Sequence, residues 1–255
     1  MVILGAVVLG LLAGWLINYL SDVLPTQRKL AQPVCDHCGT VRPWKDYFLL
    51  RACQHCQHKR AWRTPVVLLS MIAISAALSL YEPPKLGYWV SLLLLTYFGV
   101  VFVIDIEHRL ILHIVSLVGV VISLIAGIML RGLFSSLIGG AGGFIIMLIL
   151  YAFGTLFARY RARKLGTDDG EEALGFGDVI LAGIIGLLVG WPDITRALFI
   201  AIMAGGIVSI VTIIFLVATK RFQSMNVFTA YGPYLLIGAT LFIFFPQLAA
   251  VLSGK

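Results

Sequence analysis

Eight apolar runs dominate the chain, at residues 2–20, 65–81, 86–104, 110–130, 133–158, 175–191, 197–219 and 230–252. A helix of roughly 20 residues crosses a hydrocarbon core, and most of these runs reach about that length. With 60% of its 255 residues hydrophobic and only 12% charged, the chain has too little polar surface to cover a water-soluble globule. The runs are too long for membrane strands, and they lack the alternation of lipid-facing and lumen-facing residues that a barrel needs. The expectation is an all-α polytopic membrane protein with about eight transmembrane helices. Its least typical helix starts near Gly175, where the run is short and rich in glycine. The first run is expected to remain a helix rather than act as a signal peptide, because no Lys or Arg precedes it and no small-residue cleavage site follows.

The net charge of +7 is read as a signal of orientation, and no nucleic-acid partner is expected. If residues 22–64 are cytoplasmic, every Lys and Arg falls on the cytoplasmic side except Lys85, Arg131, Arg196 and Lys255. That asymmetry predicts both termini outside the cytoplasm. Trp15, Trp62, Trp89 and Trp191 fall near the ends of the predicted helices and are expected to anchor them at the lipid interface. The glycines of Gly139-Gly-Ala-Gly-Gly143 and of Gly183-x2-Gly186-x3-Gly190 suit closely packed helices, and Gly232-Pro233 suits a helix start.

Between the first two runs, residues 22–64 form the one segment long and polar enough to fold outside the bilayer. It contains all four cysteines, as Cys35-x2-Cys38 and Cys53-x2-Cys56. Each pair can turn two thiolates toward one tetrahedral ion, and a reducing cytoplasm favours metal over disulfide. A small cytoplasmic zinc-binding domain is therefore expected between helices 1 and 2. A closed site of four thiolates leaves no position for water, so this zinc would hold structure and not perform hydrolysis. His37, His55 and His58 lie among the cysteines and are read as solvent-facing or supporting residues.

Carboxylates at the edge of an apolar run are costly unless they are paired or used. Asp105 ends the run Val100-Val-Phe-Val-Ile104, and Asp178 follows Gly175-Phe176-Gly177. Each has an ordinary structural reading: Asp105 as an ion-pair partner of Arg109 one turn on, Asp178 as a helix N-cap. Both also fall at the cytoplasmic ends of their predicted helices. Two carboxyl groups at one depth can share a proton, one acting as base and the other as acid in the attack of water on an amide.

These residues make the chain resemble the type IV prepilin peptidases, which are intramembrane aspartic proteases. Gly175-Phe-Gly177-Asp178 is similar to the family's GxGD motif, and Ile104-Asp105 to its first catalytic segment. Gly14-x3-Asn18-x5-Leu24-Pro25, the two Cys-x2-Cys pairs and Tyr231-Gly-Pro-Tyr-Leu-Leu-Ile-Gly-Ala239 extend the resemblance over nearly the whole chain. It implies a multi-pass protein of a bacterial-type cytoplasmic membrane that removes a short basic leader from prepilin-like precursors, in pilus assembly or protein secretion. Asp105 and Asp178 would be the catalytic pair, with Gly175 and Gly177 as supporting motif residues. The domains would be a first transmembrane helix (1–21), a zinc-binding domain (22–64) and a seven-helix aspartic peptidase domain (65–255). An acidic cluster of Asp168, Asp169, Glu171 and Glu172 precedes the GxGD segment and is a candidate contact for the basic leader, against the plainer reading of a solvated loop.

Bifunctional family members also methylate the new N-terminus with S-adenosylmethionine. Here Arg63-Thr-Pro65 leads into Val66-Val-Leu-Leu69, without the acidic residue common in those relatives, and the stretch Gln27 to Val34 replaces a longer one. The expectation is a peptidase without efficient N-methylation, with S-adenosylmethionine a cofactor only if the chain is bifunctional. Leu112-His113 and Ile180 also depart from the family pattern, and Ile180 removes a possible counter-charge near Asp178. The rival classes are a proton-coupled transporter, disfavoured because both aspartates lie near one face, and a structural subunit of a pilus or secretion machine.

Overall fold

In the computed structural model, residues 2–35, 37–83, 85–165, 175–218, 230–245 and 247 are described. Among them the chain is helical, with Val34 and Val41 forming a single isolated antiparallel bridge. The chain divides into two compact units, Met1–Leu112 and His113–Lys255.

The first unit comprises α1 (Val2–Gln27), the short α2 (Trp44–Phe48), α3 (Arg63–Leu80) and α4 (Gly87–His108). α1 outruns its predicted end at residue 20, and the hydroxyl of Thr26 bonds the carbonyls of Asp22 and Val23 in its last turn. Trp15 therefore stands in the middle of a long helix and not near its end, a correction to the reading from the sequence. Gly10 and Gly14 lie against α3, where a Cβ on Gly10 would come within 2.6 Å of the Met71 carbonyl oxygen. The same seam is tied by Ser75, whose hydroxyl donates to the Ala6 carbonyl at 2.6 Å and meets the Tyr88 hydroxyl at 2.7 Å. The third side of the seam is α4, where Gly99 accommodates Ile17.

The second unit comprises α5 (His113–Arg131), α6 (Leu133–Leu165), α7 (Phe176–Val189), α8 (Asp193–Ala218) and α9 (Gly232–Phe244). α7 is its core: Leu181, Ala182, Ile184, Ile185, Leu188 and Val189 are all buried. The two glycine clusters expected to allow close packing pack against each other, with Gly139, Gly140 and Gly143 of α6 facing Gly183 and Gly186 of α7 and its C-cap Gly190. A Cβ on Gly143 would meet the Ala182 carbonyl at 2.5 Å, and a Cβ on either Gly139 or Gly186 would collide with the other's carbonyl oxygen. Small residues are the means by which helices approach in lipid, where burial of apolar surface gives no drive. At the far end of this pair Asp193 bonds Arg131 at 3.1 Å and Arg196 at 2.8 Å. Two of the few cations assigned to the non-cytoplasmic side thus share one acid.

Six helices are long and apolar enough to cross a membrane, with α7 and α9 as shorter apolar helices among the described residues. All eight coincide with the eight apolar runs. α7 has 14 residues, about 21 Å against a hydrocarbon core of about 30 Å. It stops where Gly190 takes φ +78°, a conformation that is easy for glycine alone, and a Cβ there would also collide with the Ser135 hydroxyl at 2.7 Å.

Candidate active site and metal centre

The four cysteines predicted to bind metal converge. Their sulfur atoms all lie within 4.8 Å of one another, with Cys35 Sγ to Cys56 Sγ at 3.6 Å and Cys38 Sγ to Cys53 Sγ at 3.7 Å. A tetrahedron with metal–sulfur bonds of about 2.3 Å has edges of about 3.8 Å, so the cluster fits one tetrahedral ion. Local sequence builds this geometry twice. The N–H of Cys35 bonds the Thr40 carbonyl while the N–H of Gly39 bonds the Cys35 carbonyl; Cys53 repeats the pattern with His58 and Gln57. Equivalent residues, Gly39 and Gln57, take φ +70° and +55°. Backbone N–H donation from Cys56, followed by the Thr40 hydroxyl and the His55 N–H, holds the Cys53 thiol down at about 5. The Cys35 thiol is also lowered, while the neighbouring sulfurs of Cys38, Cys35 and Cys53 help push Cys56 up to about 12, so the four share their protons unevenly until an ion displaces them.

Below the knuckles lies an ionic hub that the sequence did not reveal. Asp22, in the last turns of α1, accepts from the Tyr47 hydroxyl at 2.6 Å and from Arg60 Nη2 at 2.6 Å, and it also pairs with Arg63. Arg63 opens α3 and pairs in turn with Glu107 in the last turn of α4. Arg60 lies over the Tyr47 ring, 3.9 Å from its centre. Burial, then the Asp22 carboxylate, pushes the Tyr47 phenol above its ordinary range, so it stays a proton donor to Asp22. Asp22, Arg42, Tyr47, Arg60 and Arg63 line a small polar cleft at this level. The sequence signal for the hub was slight: carboxylates and arginines at the ends of three different helices, each with an ordinary local explanation.

Asp105 is buried three residues before the end of α4. Its carbonyl accepts from the N–H of Arg109, whose left-handed backbone, φ 52°, ends the helix. It stands two residues from Glu107, so the hub fixes the same helical turn. Asp178 is buried in the second unit as the third residue of α7. The N-cap is Gly175, in extended conformation, and its carbonyl accepts from the Asp178 N–H at 3.1 Å. The cap reading of Asp178 is thereby corrected. Asp178 Oδ2 turns back to 3.5 Å from the place a Cβ on residue 175 would occupy, so the carboxylate sits over the glycine turn. Gly177 is the second residue of the helix. Tyr231, immediately before α9, lies within electrostatic reach of Asp178. Asp168, Asp169, Glu171 and Glu172 lie outside the described residues.

Residues 92–210, which contain both aspartates, match the type IV leader peptidase family. The chain is similar to a prepilin leader peptidase/N-methyltransferase of Pectobacterium carotovorum subsp. carotovorum, with 30% identity over 177 residues. That stretch is 68% of this chain but only 57% of the relative. No solved structure matches the chain significantly. A matched segment spanning the ends of α4 and α7, in a helical chain with a four-cysteine knot between its first two long helices, makes the protein similar to the type IV leader peptidase family.

Proposed function

We propose that the chain is an intramembrane aspartic endopeptidase that removes the short basic leader of prepilin-like precursors at the cytoplasmic face of a bacterial inner membrane. The observation that carries this reading is the pair of buried aspartates within one turn of a helix end, in the segment matching the family. Two long apolar helices, α5 and α6, separate the end of α4 from the start of α7. Two crossings return the chain to its starting face, which supports Asp105 and Asp178 acting at one membrane level. One carboxylate would draw a proton from water while the other protonates the leaving amine. Gly175 and Gly177 would support the turn that presents Asp178.

In this reading the zinc domain (22–64) is cytoplasmic, the peptidase domain spans 65–255, and both termini lie outside. The ion held by Cys35, Cys38, Cys53 and Cys56 is zinc, with a structural role. The acidic cluster Asp168, Asp169, Glu171 and Glu172 draws in the basic leader, so Glu171→Lys with Glu172→Lys should raise KM and flatten its salt dependence.

The direct test is purified protein, a basic-leader prepilin in detergent, and mass spectrometry of the product. Cleavage directly before the hydrophobic segment is expected, and Asp105→Asn or Asp178→Asn should each abolish it with the fold intact. Near-normal turnover in either variant would reject that residue. The relative's name favours a second reading, in which the chain also methylates. A product one methylene heavier, formed only with S-adenosylmethionine, would establish that activity, which the residues after Arg63 disfavour.

A further inference from the structure

The segment expected to fold outside the bilayer carries an apolar face that continues the lipid-facing side of α1. At about 100° per residue, Leu12, Trp15, Leu16 and Tyr19 share one side of α1, opposite Gly10 and Gly14, which lie against α3. Leu12 and Leu16 are exposed on that side. α2 packs on its end: Phe48 meets Trp15 edge-on with centroids 5.2 Å apart, Tyr47 lies 5.8 Å from Trp15, and Trp44 lies 5.4 Å from Tyr19. Tyr47 is the buried member of this group. Trp44, Phe48, Leu49 and Leu50 remain 40%, 48%, 62% and 40% exposed, and the ring contacts of Trp44 and Phe48 join this apolar group to α1.

The depth of this patch can be read from the helices. Asp22, Arg63 and Glu107 join one another where α1, α3 and α4 each pass from apolar to charged sequence, which marks the level of the membrane surface. Trp15 and Tyr19 precede Asp22 by seven and three residues, about 10 Å and about 5 Å toward the apolar side at 1.5 Å per residue. In-plane membrane helices bury their apolar faces about 5–10 Å below the headgroup boundary, the depth at which α2 packs. Its polar residues face elsewhere. Asp46 is buried, accepts from Gln54 at 2.6 Å and pairs with Arg51 at 3.9 Å, while Lys45 is exposed on α2, where a lipid phosphate would meet it.

We propose that α2 with Leu49 and Leu50 is an in-plane membrane anchor that seats the cysteine domain in the phospholipid interface. The occupant of its apolar face is lipid, because the face is continuous with that of a membrane-spanning helix and lies at acyl-chain depth. The inference rests on α1 spanning the bilayer and is independent of peptidase activity.

The test places a benzophenone side chain at Leu49, and separately at exposed Lys59 beside the second knuckle, in the full chain. The protein is reconstituted in vesicles of phosphatidylethanolamine and phosphatidylglycerol, irradiated and analysed by mass spectrometry. We expect phospholipid adducts at position 49 at several times the yield at position 59. A second measurement guards against misfolding: Leu49→Asp with Leu50→Asp should keep its bound zinc yet exchange amide hydrogens over residues 41–51 at least several-fold faster in vesicles than the parent. Adducts at position 49 to this chain, a second copy or another protein would overturn the proposal, as would lipid yields equal at the two positions.

Discussion

Each of the two units is held together internally at one critical point, and the two means are opposite. In the second, α6 and α7 meet through glycines so close that a Cβ on either side would strike the other's carbonyls. In the first, the foot of α1, α3 and α4 is joined by Asp22, Arg60, Arg63 and Glu107, capped by a four-cysteine knot. The difference follows from solvent. Inside lipid, contact requires small volume, since apolar side chains are as well solvated by lipid tails as by each other. At the water interface, charge and metal can act because polar partners are available and the competing water is partly excluded. The first kind of joint should therefore fail when volume is added, and the second when metal or charge is removed.

Metal removal should give the largest effect. Structural zinc contributes on the order of 10 kcal/mol to small metal-dependent domains. Stripping the ion by chelation, or Cys38→Ser, should open residues 28–62 to protease while the cleavage pattern of the second unit stays unchanged. Equal loss of protection in both units would erase the contrast. Next comes added volume: Gly186→Leu forces a side chain into the α6 backbone and should destabilise the second unit by about 3 kcal/mol or more in detergent unfolding. Gly206→Ala is the control, because nothing lies within 4 Å of a Cβ there; it should leave stability unchanged or raise it by up to about 1 kcal/mol.

A smaller effect sharpens the ionic side. Arg63→Gln leaves Asp22 and Glu107 without their shared cation and should cost about 2–3 kcal/mol, while Glu107→Gln alone should cost less. A double-mutant cycle between them should return a coupling of about 1 kcal/mol, and additivity would show that the hub holds nothing together. The smallest effect is a gain. Gln57 takes the left-handed backbone that glycine takes at the equivalent Gly39, so Gln57→Gly should stabilise the knot by about 1 kcal/mol, seen as slower metal loss to chelator.

What could be read from the sequence was what is local in the chain. A run of apolar residues satisfies its own backbone only as a helix in lipid, so the eight helices followed directly. The cysteine cluster followed from the two x2 spacings, because each knuckle is closed by hydrogen bonds no more than five residues apart. The glycine clusters were likewise visible as packing faces, although not as partners of each other. The hub was not legible. Arg63 lies 41 residues from Asp22 and 44 from Glu107, and each separately resembled an ordinary helix-end charge.

The sequence alone thus determined a membrane-embedded helical chain, its cluster of four thiols and two aspartates placed at helix ends, since period, spacing and polarity act over a few residues. Tertiary structure decided the rest. It paired α6 with α7, stopped α7 short at Gly190, joined Asp22 through Arg63 to Glu107, and laid Trp44 and Phe48 against Trp15 and Tyr19. Those contacts depend on which faces meet in space, and that is set by shape and charge complementarity between distant segments rather than by any local pattern.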